Sequence, residues 1–235
     1  DGKKKIIFVV MKIDKEIFDF LTDLACNNNR EWFNANKERY NDVKHRFERI
    51  TDEFVRLIAE IDSSVGMHDA KDCIYRIYRD TRFSSDKTPY KRHICCFVAK
   101  NGRKSRMPGY YLHIEPGSSH FGGGVYCLEP EELKRIRREI CNFPEEIVAA
   151  VENDDFKSRM RLHDGDKMKK FPKGYETGFR GDEYLKYRYL SSYVTYSDVE
   201  CMSDIFGDML RRDMQLAYPL NRFLTEAMEM QGDDE

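Results

Sequence analysis

The sequence predicts an α+β fold, with helices first, strands gathered in the middle and helices last. Two observations carry that prediction. Apolar residues recur at helical spacing through 16–61 and again from about 130 onward. Between them, short runs rich in β-branched and aromatic residues alternate with turn dipeptides through 93–128. A 40% hydrophobic, 13% aromatic chain of 235 residues has the material for a core and the length of one large domain or two small ones. We read residues 12–230 as a single domain, an antiparallel meander packed with a long N-terminal helix and C-terminal helices. Residues 1–11 read as an extension, because patterned sequence begins after Met11.

The first helix is expected over 16–26, where Ile17, Phe18, Leu21, Leu24 and Ala25 share a face. Asn27-Asn28-Asn29 interrupts it. Asn28 followed by Glu31 matches the capping-box pattern and predicts the start of a long helix. Its apolar positions, Phe33, Tyr40, Val43, Phe47, Ile50, Phe54, Leu57 and Ile61, alternate threes and fours after a gap at Asn36. Such a seam suits a dimerising coil or one helix laid across a core; its aromatic residues favour the core.

Residues 73–78 form a short apolar run, and 79–91 a polar loop in which Pro89 bars regular pairing. Strands are expected over 93–100, 110–115 and 120–128, joined by Asn101-Gly102 and Pro116-Gly117-Ser118-Ser119. Gly122-Gly123-Gly124 predicts a bulge in the third. Pro130 and Pro144 each open a helix, with acidic residues in the first turn. Residues 154–181 read as a surface excursion and 184–196 as a further strand. A last helix carries Ile205, Phe206, Met209, Leu210, Met214 and Ala217, and Pro219 is expected to kink or restart it.

Charge narrows function. The net charge of -2 argues against a general nucleic-acid binder, but 71–106 holds eleven Lys/Arg against three Asp/Glu, and 195–235 three against ten. The apolar run 6–11 is too short for a secretory or membrane segment. Seven cysteines without a CxxC pair give no zinc-ribbon or redox motif. Cys73, Cys95, Cys96 and Cys127 read as small core residues, which suits a reducing cytoplasm. No nucleophile elbow, HExxH or Walker sequence is present, so no cofactor is expected.

The chemistry concentrates at Arg76, Arg79, Arg82 and Lys87, interleaved with Asp80 and Asp86. Arg presents a planar fork that matches carboxylate or phosphate. The cation surplus points to a small anionic ligand held by Arg76, Arg79, Arg82 and Lys87. The alternatives are an ion network that only braces the loop, and a nucleic-acid or acidic-protein binding module using the whole basic region. On the strand over 110–115, Tyr111, His113 and Glu115 share a face, where a His and a carboxylate two apart suit proton transfer. Asp80, Tyr90, His113 and Glu115 are therefore the candidate catalytic residues. A metal needs a third ligand, which only the more distant His93 or His120 offers, so no metal site is expected. Trp32, the only tryptophan, reads as a core anchor.

The motif Arg76-x-x-Arg79-Asp80-x-Arg82-Phe83, followed by Asp86-Lys87 and Tyr90, resembles the signature of a bacterial family called domain of unknown function 2461. Asn27 to Phe33, Gly109 to Pro116, the glycine triplet and Leu133 to Arg137 fit the same family. The likeness extends from about Lys12 to Phe223, which favours one domain. The family has no established activity, so the resemblance implies a fold but transfers no catalytic role.

Overall fold

The computed structural model describes residues 11–229. Residues 1–10, most of the expected extension, lie outside the described residues. Met11 was assigned to that extension. It is instead buried against Gly207, and Ile13 N–H donates to Cys201 O at 2.8 Å, so the folded part already includes Met11.

Helix α1 (Lys15–Cys26) buries Ile17, Phe18, Phe20, Leu21 and Leu24. The expected long helix is two, α2 (Arg30–Ala35) and α3 (Lys37–Ile61). Asn29, not Asn28, caps the first by accepting from Trp32 N–H at 2.9 Å. Asn28 has a tertiary task instead. Its amide donates to Tyr90 O at 3.0 Å and accepts from Tyr90 N–H at 3.1 Å, tying the helix start to the basic loop. On α3, Val43, Phe47, Ile50, Phe54 and Ile58 face the common core, as the core reading of the seam expects.

Residues 73–78 do not form a strand. A one-turn helix, α4 (Ala70–Cys73), leads into two isolated bridges, Ile74 with Cys96 and Tyr78 with Tyr90. Next come β1 (Ile94–Ala99), β2 (Gly109–Ile114) and β3 (Ser119–Gly124), an antiparallel meander. Asn101 and Gly102 take left-handed backbone (φ 68° and 84°) in the first connection. In the second, Ser118 N–H donates to Glu115 O at 2.9 Å with Pro116 leading and Gly117 at φ 73°, the pattern of a type II turn. The glycine triplet forms no bulge. Gly122, Gly123 and Gly124 pair in continuous register with both neighbouring strands.

Helices α5 (Pro130–Asn142), α6 (Pro144–Glu152) and α7 (Asp154–Arg159) follow, so part of the expected excursion is helical. The short β4 (Arg161–Leu162) and then β5 (Ser191–Tyr196) complete a five-stranded antiparallel sheet in the order β1-β2-β3-β5-β4. Residues Asp182–Lys186, the last three of them expected in a strand, form a 3-10 turn. Helix α8 (Asp198–Cys201) is capped by Ser197, and α9 (Phe206–Glu229) runs unbroken through Pro219.

The two faces of this sheet differ. Ile94, Cys96, Val98, Tyr110, Leu112, Ile114, Phe121, Val194 and Tyr196 point to α3 and α9 and are buried. Phe54 meets Phe121 edge-on with centroids 6.3 Å apart. Burying side chains of this size stabilises by about 2–3 kcal/mol each. Helix α9 crosses so close that a Cβ on Gly123 would lie 2.8 Å from Ala217 Cβ, which is why glycine stands there. The opposite face carries His93, Cys95, Phe97, Tyr111, His113, Glu115, His120, Tyr193 and Thr195, and no helix of the described residues covers it.

Candidate functional site

The basic loop closes on itself. Its base is a backbone pair, Arg79 N–H to Pro89 O at 2.9 Å and Lys91 N–H to Ile77 O at 2.8 Å. Arg79 Nη1 donates to Asp86 Oδ2 at 2.6 Å and to Thr88 O at 3.2 Å, and also bonds the Thr88 hydroxyl. Arg82 grips Asp80 through Nε (3.0 Å) and Nη2 (2.6 Å), and Lys87 Nζ donates to Thr81 O at 2.9 Å. Hydrogen bonding to Arg82 lowers the Asp80 carboxyl to about 2; bonds from Thr88 and Arg79 lower Asp86 equally. Arg76 is exposed. Phe83 stands 97% exposed at the tip of the loop.

A cavity of about 900 Å³ opens elsewhere, over the uncovered sheet face, within the range typical of ligand sites. Its walls include Lys91, His93, Cys95, Tyr111, Arg103 and His120. Arg76, Arg79, Arg82, Lys87, Asp80 and Tyr90 do not line it. Tyr90 is buried under α2, stacked on Phe33 at 4.0 Å. The sequence-predicted residues thus divide. Arg79, Arg82, Lys87, Asp80 and Tyr90 are spent on structural contacts and Arg76 is exposed, whereas His113 and Glu115 adjoin the cavity through the lining residues His93, Tyr111 and His120.

Strand register assembles that end. Cys95 pairs with His113, and His113 with His120. The His113 ring is sandwiched between His93 (centroids 4.1 Å) and His120 (4.3 Å). His113 Nε2 lies 2.9 Å from Glu115 Oε2, and Nδ1 lies 2.9 Å from the Tyr111 hydroxyl. A carboxylate only accepts, so the imidazole proton sits on Nε2 and Tyr111 O–H donates to Nδ1. His93 Nδ1 is 4.0 Å from the same Glu115 oxygen. A bonded chain therefore runs from the cavity wall at Tyr111, through His113, to a partly exposed carboxylate.

Burial dominates the electrostatics. It lowers His113 to about 3, with help from His120 and Lys91, and His93 to about 4, with help from His113. It also lowers His120. Burial, then Cys95, raises the Tyr111 hydroxyl, and burial raises the Cys95 thiol. Three imidazoles stay neutral at physiological pH.

Two cations reach the cavity that sequence reasoning did not single out. Lys91 has no carboxylate partner among the described residues, and its Nζ sits 5.4 Å from the Tyr75 ring centroid. Arg103 stacks on the same ring at 5.0 Å and bonds the Ile74 carbonyl. Arg106 also lines the cavity but is held by Glu129 (3.0 Å) and Glu132 (2.9 Å). Across the cavity, His163 bonds the Tyr189 hydroxyl at 3.1 Å, and Tyr126 packs edge-on against Tyr189. Cys127, expected in the core, is exposed at φ 56°.

No curated protein and no solved structure matches the chain. A family's sequence profile matches residues 16–223, which hold the basic loop, the histidine cluster and the cavity walls. The chain therefore belongs to the family described as Conserved hypothetical protein (DUF2461).

Proposed function

We propose that the cavity over the open sheet face binds a small anionic molecule, phosphorylated or carboxylated, and that the Tyr111–His113–Glu115 chain moves a proton to or from it. The observation that carries this reading is that bonded chain, which begins at a wall of the same cavity that Lys91 and Arg103 enter. Lys91 and Arg103 supply the charge complement; Tyr111 meets the ligand; His113 and Glu115 hold the tautomer and accept the proton. The anion site moves from the loop of Arg76, Arg79, Arg82 and Lys87 to these two cations, because Arg79 and Arg82 are engaged by Asp86 and Asp80. Those bonds favour a bracing role for the loop. Seven thiols without a disulfide fit a reducing compartment such as the cytoplasm. No helix of the described residues is long and apolar enough to cross a membrane.

A thermal-shift screen of phosphorylated and carboxylated metabolites tests the reading. A ligand at about 100 times its Kd stabilises by about 2.7 kcal/mol, which is a readable shift. Wild type and Arg79→Ala should respond alike, and a double Lys91→Met, Arg103→Met variant should not. The reading fails if no anion stabilises wild type, or if Arg79→Ala alone abolishes the response. A second reading rests on Phe83, bare at the tip of a loop in the basic region, and makes that region a module for nucleic acid or an acidic protein. It requires binding that weakens steeply with salt and is lost in Phe83→Ala.

A further inference from the structure

We propose that His93, His113 and Glu115 form a binding site for a divalent transition-metal ion, of the zinc and ferrous-iron class, beside the cavity wall that His93 and His120 form. The inference shares the cavity with the anion reading but does not require an anion, so either can fail alone.

Geometry carries the proposal. One donor atom from each of the three residues lies within 4.8 Å of the other two. Glu115 Oε2 is the hub, 2.9 Å from His113 Nε2 and 4.0 Å from His93 Nδ1. Ligand atoms around a tetrahedral zinc ion, with bonds of about 2.0–2.1 Å, sit roughly 3.3 Å apart. Seating an ion therefore asks the His113–Glu115 pair to open slightly and the His93 ring to swing inward. Side-chain rotation does this without moving the strands. His93 and Glu115 have that freedom, at 26% and 28% side-chain exposure.

The donor set selects the metal. Two imidazoles and one carboxylate suit zinc and iron, whereas magnesium and calcium take oxygen ligands. Three protein donors leave coordination positions open, the pattern of a catalytic rather than a structural ion. Glu115 has no Lys or Arg partner among the described residues, so no cation competes for its charge.

A supporting shell already surrounds the His113 ring. With Nε2 turned to an ion, the ring proton moves to Nδ1 and donates to the Tyr111 oxygen 2.9 Å away. Such a partner fixes the tautomer and orientation of a ligating histidine. His93 and His120 clamp the ring on both faces. An ion here would supply a Lewis acid next to the cavity, and it would take the place of the His113–Glu115 hydrogen bond in the proton relay.

The test is titration of the untagged, chelator-stripped full chain with zinc chloride and cobalt chloride. Calorimetry gives stoichiometry and affinity, and cobalt absorption gives coordination number. One ion per chain is expected, with visible bands of a four- or five-coordinate site and no displacement by millimolar magnesium. His93→Ala and Glu115→Gln should each weaken affinity at least 100-fold, and Tyr111→Phe about 10-fold. His163→Ala should bind as wild type does. Because His113 is the buried ligand, His93→Ala and Glu115→Gln are the decisive variants, their folds checked by circular dichroism. Binding of less than one ion, affinity unchanged in both of these variants, or equal loss in His163→Ala would overturn the assignment. The same titration on the Lys91→Met, Arg103→Met variant should match wild type, which separates loss of the metal from loss of the anion.

Discussion

Acid should unfold this protein early, and the histidine cluster sets where. His113 and His93 titrate near 3 and 4 in the fold, against 6.5 for a free imidazole. A base whose folded value is depressed adds stability that is complete above its unfolded pKa. That stability is lost as pH falls from 6.5 toward the folded value. At about pH 5 the unfolded chain has taken up both protons and the folded chain almost neither, a difference worth about 2 kcal/mol per fully buried imidazole. His93 is a quarter exposed and contributes less, so the pair together accounts for about 3 kcal/mol between pH 7.5 and 5. His120 acts in the same direction. Lys91 and the neighbouring imidazoles deepen the effect, while Glu115, just past the end of β2, opposes it at His93 and His120. Glu139, raised by its own burial, works against the trend elsewhere, and a variant comparison cancels it. Urea unfolding followed by circular dichroism across this range, with chelator present, gives the measurement. Wild type should lose the stated free energy, and His113→Phe should lose about a third as much. If wild type keeps its midpoint down to pH 5, or if His113→Phe shows the full drop, the cluster is not buried and neutral.

Three further perturbations probe the frame around the site. Asp213 is fully buried, takes two Arg159 bonds at 2.9 Å and one from the Tyr196 hydroxyl; Asp213→Ala should cost about 3 kcal/mol in urea unfolding, and a loss below 1 would show the network is idle. A Cβ on Gly124 would lie 2.3 Å from Leu190 O and 2.6 Å from Ser191 Cα, so Gly124→Ala should displace β5 and yield little soluble protein. Gly117→Ala, at φ 73° with open space around it, should lose only about 1 kcal/mol; equal yields and melting points for the two would contradict the close pairing. Arg79→Ala should leave global stability nearly intact, since Asp86 is half exposed, while limited proteolysis should cut faster within 79–90; unchanged cleavage would remove the brace.

How much of this was legible in the sequence depends on how local each cause is. The α+β order, the helix starts at Pro130 and Pro144, and the shared face of Tyr111, His113 and Glu115 follow from periodicity and from Pro chemistry, which act within a few residues. The His113–His120 pair is readable only with the turn placed at Pro116-Gly117, since a turn over 116–119 sets Glu115 opposite His120. A turn centred on Pro116-Gly117 fixes which residues face each other across it. His93 and Cys95 were not readable, because the connection 100–108 has turns of its own and its length does not dictate register. Asn28 was misassigned for a related reason. Its capping pattern is local, but a partner sixty-two residues away at Tyr90 wins its amide. In the basic run, nothing local separates Lys91 and Arg103, which enter the cavity, from Arg79 and Arg82, which turn back on their own loop.

The two faces of one sheet make the functional argument. On β2, Tyr110, Leu112 and Ile114 are completely buried by α3 and α9, where apolar contact explains each of them. One residue along in each step, Tyr111, His113 and Glu115 point the other way, and contact with the apolar core explains none of them. Ser or Thr would satisfy the same backbone positions without holding neutral imidazoles that weaken the fold in acid. Gly122, on that face of β3, leaves open the space a side chain would fill, and a Cβ there would press to 3.0 Å from Ser192 O. The sheet thus gives up side-chain burial and acid tolerance at one place, beside a cavity lined by Lys91 and Arg103, neither of which has a carboxylate partner among the described residues. Costs that coincide at a single cavity favour the proposed reading, because a bound ligand would offset them and a bare structural face would not.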